Sequence, residues 1–252
     1  MAWPRVQDNR LVGGMLALLV LLAWWAMYAG EHAPWGHAVL HGAHMMRMNV
    51  GSASFAAVFV FGWLIMTVAM MLPTSTPLIL LFHRMVAGRP HAAAHVALLI
   101  AAYLAVWALF GLLVFALNRG LYAAVRAVPW LDENGWAPGA AILLGAGLFQ
   151  FSRLKYACLD KCRSPLGFMT ERWRSRPFRD AWHIGAAHGL YCVGCCWLLM
   201  LVMFAVGTGG LAWMLLLAIV MAAEKNLPWG RRLSAPVGVL LIAGAVTLAI
   251  SR

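Results

Sequence analysis

The chain has 252 residues, 63% hydrophobic and only 11% charged, with a formal net charge of +11. Soluble domains are roughly half apolar and about a quarter charged, so one soluble core cannot hide this much apolar surface under so few charges. The composition excludes a disordered chain, a disulfide-stapled secreted domain and a coiled coil, and it leaves an integral membrane protein.

Apolar runs long enough for a bilayer fall at residues 11–29, 55–81, 92–117, 138–159, 185–206, 211–223 and 236–250. Backbone polar groups in lipid must be satisfied within the segment, so each run is read as a helix. The fold class is therefore all-α: a polytopic membrane helix bundle of about seven transmembrane helices, forming a single domain over residues 1–252. The first run exceeds the apolar stretch of a cleaved signal peptide and no cleavage site follows it, which makes it an uncleaved span.

Charge sets the orientation. With the N-terminus cytoplasmic, fifteen Lys and Arg residues fall inside, eight of them between Arg153 and Arg179. Only Arg47, Arg119, Arg126 and Arg252 fall outside. This is the positive-inside pattern, and it explains the basic charge through the lipid bilayer. No base-stacking aromatic motif or helix-turn-helix accompanies it, so nucleic acid is not expected as a partner.

The second span carries "MTVAMMLPTSTP". Met66 and Met70 share a helical face with Met71 beside them, and Pro73 and Pro77 should release backbone carbonyls. The fourth run ends in "CLDKCRSP", where Cys158 and Cys162 are one turn apart and Lys155, Lys161 and Arg163 stand close enough to favour thiolates. The fifth holds "HGLYCVGCCWLLM", whose His188, Cys192, Cys195 and Cys196 fall on one stripe of the helix. Gly185 and Gly189 on that span invite a close neighbour. In the sixth, Met221, Glu224 and Lys225 can share a face, with Glu224 and Lys225 also readable as an interfacial pair that marks the helix end.

All of these map to the cytoplasmic half of the bundle, where facing helices would build one sulfur-rich pocket. Thiolate and thioether select Cu(I); a Cys/His set also suits zinc, but the methionines favour copper. The expected ligands are Cys192, Cys195, Cys196, His188, Cys158, Cys162, Met66, Met70, Met71, Met221 and Glu224. A second candidate cluster, for outer metal capture, comprises His37, His41, His44, Met45 and Met48 between the first two spans.

In this order and spacing, "MTVAMMLPTSTP", "CLDKCRSP", "HGLYCVGCCWLLM" and "EKNLPWG" resemble a bacterial family of predicted metal-binding integral membrane proteins, a domain of unknown function. The resemblance covers about residues 55–230. It implies a multi-span protein of the bacterial inner (plasma) membrane that holds a metal through those cysteines. The outer turn "GTGGLAW" departs from the Met-Asn expected there.

These features lead to a membrane protein that handles copper by uptake, export or delivery to a metalloenzyme, with a metallochaperone or copper enzyme as partner. The alternatives are a thiol–disulfide redox protein exchanging between the two cysteine groups, and a subunit of a membrane-bound copper oxidase or oxygenase. There is no phosphate-binding loop to energise transport and no hydrolytic Ser/His/Asp spacing, which favours a binding protein over an enzyme.

Overall fold

The computed structural model describes residues 6–32, 53–205 and 210–251. The outer cluster of His37, His41, His44, Met45 and Met48 lies outside these residues. Every element described is helical. Long helices are α1 (Val6–His32), α2 (Ala53–Val86) and α3 (Ala92–Ala127), followed by the short α4 (Pro129–Glu133) and α5 (Ala137–Phe149). Two amphipathic pieces come next, α6 (Arg153–Arg163) and α7 (Pro165–Arg172), before α8 (Pro177–Ala205) and α9 (Leu211–Asn226). A 3-10 turn (Gly230–Leu233) leads into α10 (Ser234–Ile250).

Among the described residues five helices are long and apolar enough to cross a membrane: Asn9–His32, Ala53–Val86, Ala92–Ala127, Pro177–Met203 and Gly230–Ile250. The fourth and sixth expected spans are shorter. At 13 and 16 residues, α5 and α9 reach about 20 and 24 Å, less than the roughly 30 Å of hydrocarbon. The fourth run does not continue as one helix to Leu159. It breaks after Phe149, and Ser152 caps a new helix by accepting the Lys155 backbone N–H at 3.1 Å. Ser is a strong N-cap, so the break is local chemistry rather than tertiary distortion.

The long contacts run α3 on α8, α10 on α5, α1 on α2 and α2 on α3, with α6 lying across α8 and α9 against α2. Gly185 and Gly189 are what let α8 approach α3. A Cβ at Gly185 would strike the Leu99 carbonyl, and one at Gly189 would come within 2.9 Å of Val106 Cβ. Small residues serve helix contacts in membranes in this way, because backbones can then meet closely.

Pro73 sits inside α2 without ending it. Lacking an N–H, it leaves the Ala69 carbonyl without its helical donor. The indole Nε1 of Trp24 on α1 supplies the hydrogen bond at 3.1 Å. Thr74 and Ser75 donate back to the Met71 carbonyl at 2.8 and 3.3 Å, so the proline-rich turn is held from within. Outward faces of α1 and α10 expose the apolar side chains Leu11, Met15, Leu18, Val239 and Leu240.

Candidate metal centre

The stripe on α8 points inward. Cys192, Cys195 and Cys196 are all buried within one apolar core that also contains Met66, Met70, Met71, Cys158, Met200 and Met221. In this apolar core the thiols of Cys195 and Cys196 both donate to the Cys192 carbonyl, at 3.1 and 2.8 Å.

From α2, Met71 places its Sδ 3.7 Å from Cys196 Sγ. From α9, Lys225 enters the same space. Its Nζ lies 3.0 Å from Cys192 Sγ, 3.6 Å from Met71 Sδ and 3.9 Å from Cys196 Sγ, with Thr74 Oγ1 at 3.4 Å. Tyr103 on α3 closes the group, its hydroxyl 3.1 Å from Cys192 Sγ. One cation-sized point is thus ringed by three sulfurs from two helices.

The α6 thiols reach the edge of this group. Cys162 packs against the apolar core that contains Cys195. Cys158 packs over Gly194, where an added Cβ would stand 2.6 Å from its Sγ. Cys158 is buried and Cys162 half-buried, so the sulfurs run from the sealed core outward along α6.

His188, one turn before Cys192, is positioned otherwise. Its Nε2 meets Ser75 Oγ at 3.1 Å and its ring stacks near Tyr103 with centroids 5.7 Å apart. Its Nδ1 is buried with no hydrogen-bond partner among the described residues. Met66, Met70 and Met221 are buried in the common core.

Glu224 turns away from the sulfurs. Its two carboxylate oxygens accept from Lys155 Nζ at 2.9 and 2.8 Å, and Ser234 donates to one of them at 2.8 Å. Lys155 also donates to Gln150, and Arg163 donates to the Glu224 carbonyl. Successive residues on a helix point about 100° apart; Glu224 meets Lys155 while Lys225 meets the sulfurs, so the two do not form a snorkelling pair.

The expected basic neighbours of the thiols spend their donors elsewhere. Lys155 is held by Glu224, Lys161 by Glu171 at 2.8 Å, and Arg163 by the carbonyls of Glu224 and Pro228. Glu171, on the exposed side of α7, has its carboxyl held below the usual range by hydrogen bonds from Lys161 and Arg172. The cation that meets the sulfurs is Lys225. The sequence singles out Lys225 beside Met221 and Glu224 at the end of an apolar helix but not as a partner of the thiols, and it gives no sign of Tyr103 or Thr74.

Among the described residues no group of three His, Cys, Asp or Glu side chains forms a metal-holding set on its own. The set here is two cysteines and a methionine, all soft donors, and that chemistry fits a soft metal ion as cargo.

No curated protein and no solved structure matches the chain. Residues 60–248 match the model of a family described as PpoB2, copper chaperone, and the chain belongs to that family.

Proposed function

We propose that this chain is a membrane-embedded copper carrier that receives Cu(I) on Cys192, Cys196 and Met71 and gives it up through the α6 thiols. The observation that carries the reading is the single point surrounded by two cysteine sulfurs and a methionine sulfur. The family's description supports copper as the cargo. Thioether is a poor partner for zinc and a good one for Cu(I), and a thiol–disulfide exchanger would leave Met71 idle.

Transfer between soft sites proceeds by swapping one sulfur for another. Cys195 is buried in the same core, and Cys162, packed against that core, is the half-buried thiol. A partner thiol meeting Cys162 at the α6 surface could draw the ion out without opening the sealed core. Cys158, His188, Met66, Met70, Met221 and Glu224 complete the residues proposed around the site. Of these, Glu224 acts by holding Lys155 and α6, and His188 by contact with Ser75.

We read the chain as crossing the inner membrane of a bacterium with its N-terminus and its 153–179 segment in the cytoplasm. The short α5 and α9, packed on α10 and α2, make up the seven spans. Copper content of the purified chain tests the function. Wild type loaded with Cu(I) should retain copper through desalting, and the Cys192→Ser/Cys196→Ser variant should not. Equal copper in the two would sink the assignment.

A further inference from the structure

The centre of the sulfur group holds a charge of its own. Lys225 Nζ is within 3.0–3.9 Å of Cys192 Sγ, Met71 Sδ and Cys196 Sγ, and Thr74 Oγ1 completes its surroundings. The residue is 6% exposed. Lysine is almost never buried without a partner, and among the described residues no carboxylate pairs with it: Lys155 takes Glu224, and Glu171 takes Lys161 and Arg172. The sulfurs are its partners.

We propose that Lys225 is a built-in competitor of the cargo, whose ammonium occupies the metal's place so that copper enters only as the lysine leaves. This deepens the carrier reading and rests on it. A metal bonded to sulfur at roughly 2.3 Å requires the space the ammonium fills. Two cations that close in a low-dielectric core repel strongly, so they are mutually exclusive.

The exchange moves a proton as well as the ammonium. The Cys196 thiol donates to the Cys192 carbonyl in the metal-free centre, so its ligation of the ion releases that proton to solvent as the lysine head moves out. The soft donors, rather than the charge count, select the ion. Lys225 is rooted one residue before the end of α9, and its four-carbon stem is flexible enough to carry the head away. The device has a purpose in a carrier: the lysine fills and steadies the empty site, and it lowers the affinity enough for the cargo to be passed on.

The test uses the full chain in detergent, with Cu(I) partitioned against a chromogenic Cu(I) chelator under reducing conditions. Lys225→Leu and Lys225→Gln, neither of which adds a sulfur, should hold Cu(I) at least about tenfold more tightly than wild type. The same variants, metal-free, should melt at lower temperature because the sulfurs lose their partner. A structural role alone would lower stability and affinity together. Equal or weaker Cu(I) retention in both variants would overturn the proposal.

A second measurement uses wild type alone, should the variants not fold. Amine acetylation followed by mass spectrometry should show Lys225 becoming more reactive on Cu(I) loading, and unchanged reactivity contradicts the proposal. A wild-type chain that binds no Cu(I) would instead overturn the carrier reading itself.

Discussion

The ammonium of Lys155 lies 2.8 Å from the nearer carboxylate oxygen of Glu224, with side-chain exposures of 0% and 3%. This ion pair ties α6 to α9, and Ser234 at the start of α10 adds a hydrogen bond to the same carboxylate. It holds the helix that carries Cys158 and Cys162 against the helix that carries Lys225.

Removing one partner of a buried pair leaves an uncompensated charge, at a cost of about 3–5 kcal/mol, while replacing both by apolar groups is often near neutral. Lys155→Met should therefore lower thermal or denaturant stability severely. The double variant Lys155→Met/Glu224→Leu should recover most of it and still bind copper. Loss of copper from a well-folded double variant would show that Glu224 touches the ion directly.

Gly194 is the point where α8 yields to α6. An added Cβ there would stand 2.6 Å from Cys158 Sγ, and overpacking of a close contact costs about 1–3 kcal/mol. Gly194→Ala should destabilise by that order in chemical denaturation, and Cys158→Ala in the same chain should restore part of the loss. Full additivity of the two changes would mean that the pair does not touch.

Trp24 and Pro73 are coupled through one carbonyl. Trp24→Phe removes the donor to Ala69 and should cost about 1–3 kcal/mol for the unsatisfied acceptor. Pro73→Ala returns a helical N–H to that carbonyl, so in its background Trp24→Phe should cost less. A double-mutant cycle measures the difference, and zero coupling would contradict the geometry.

Much of the site follows from helical spacing alone. His188, Cys192, Cys195 and Cys196 recur at a period that any α-helix gathers onto one side, and burial of that side is the default in an apolar bundle. Cys158 and Cys162 likewise need only one turn of α6. The contact of Lys225 with the thiols was not legible, because what an end-of-helix lysine meets is decided by how α9 rotates against α2 and α8. The rotation is set by Glu224 on the other side, whose own partner, Lys155, comes from 69 residues earlier in the chain. The fourth span was read too long for a simpler reason: apolar residues recur past Phe149 as far as Leu159, whereas the helix breaks after Phe149 and Ser152 caps a new one.

Orientation can be checked at Ser175, an exposed residue between α7 and α8. A Ser175→Cys chain in intact cells should resist a membrane-impermeant maleimide and react after permeabilisation, measured against wild type to subtract Cys162. Labelling in intact cells would place the α6 thiols on the outer side and reverse the direction of transfer.

X-ray absorption at the copper edge of the Cu(I)-loaded chain tests the central claim most directly. The account predicts a shell made of sulfur in wild type, with one scatterer fewer in Met71→Leu and copper lost from Cys192→Ser/Cys196→Ser. A shell of nitrogen or oxygen, unchanged by Met71→Leu, would contradict it.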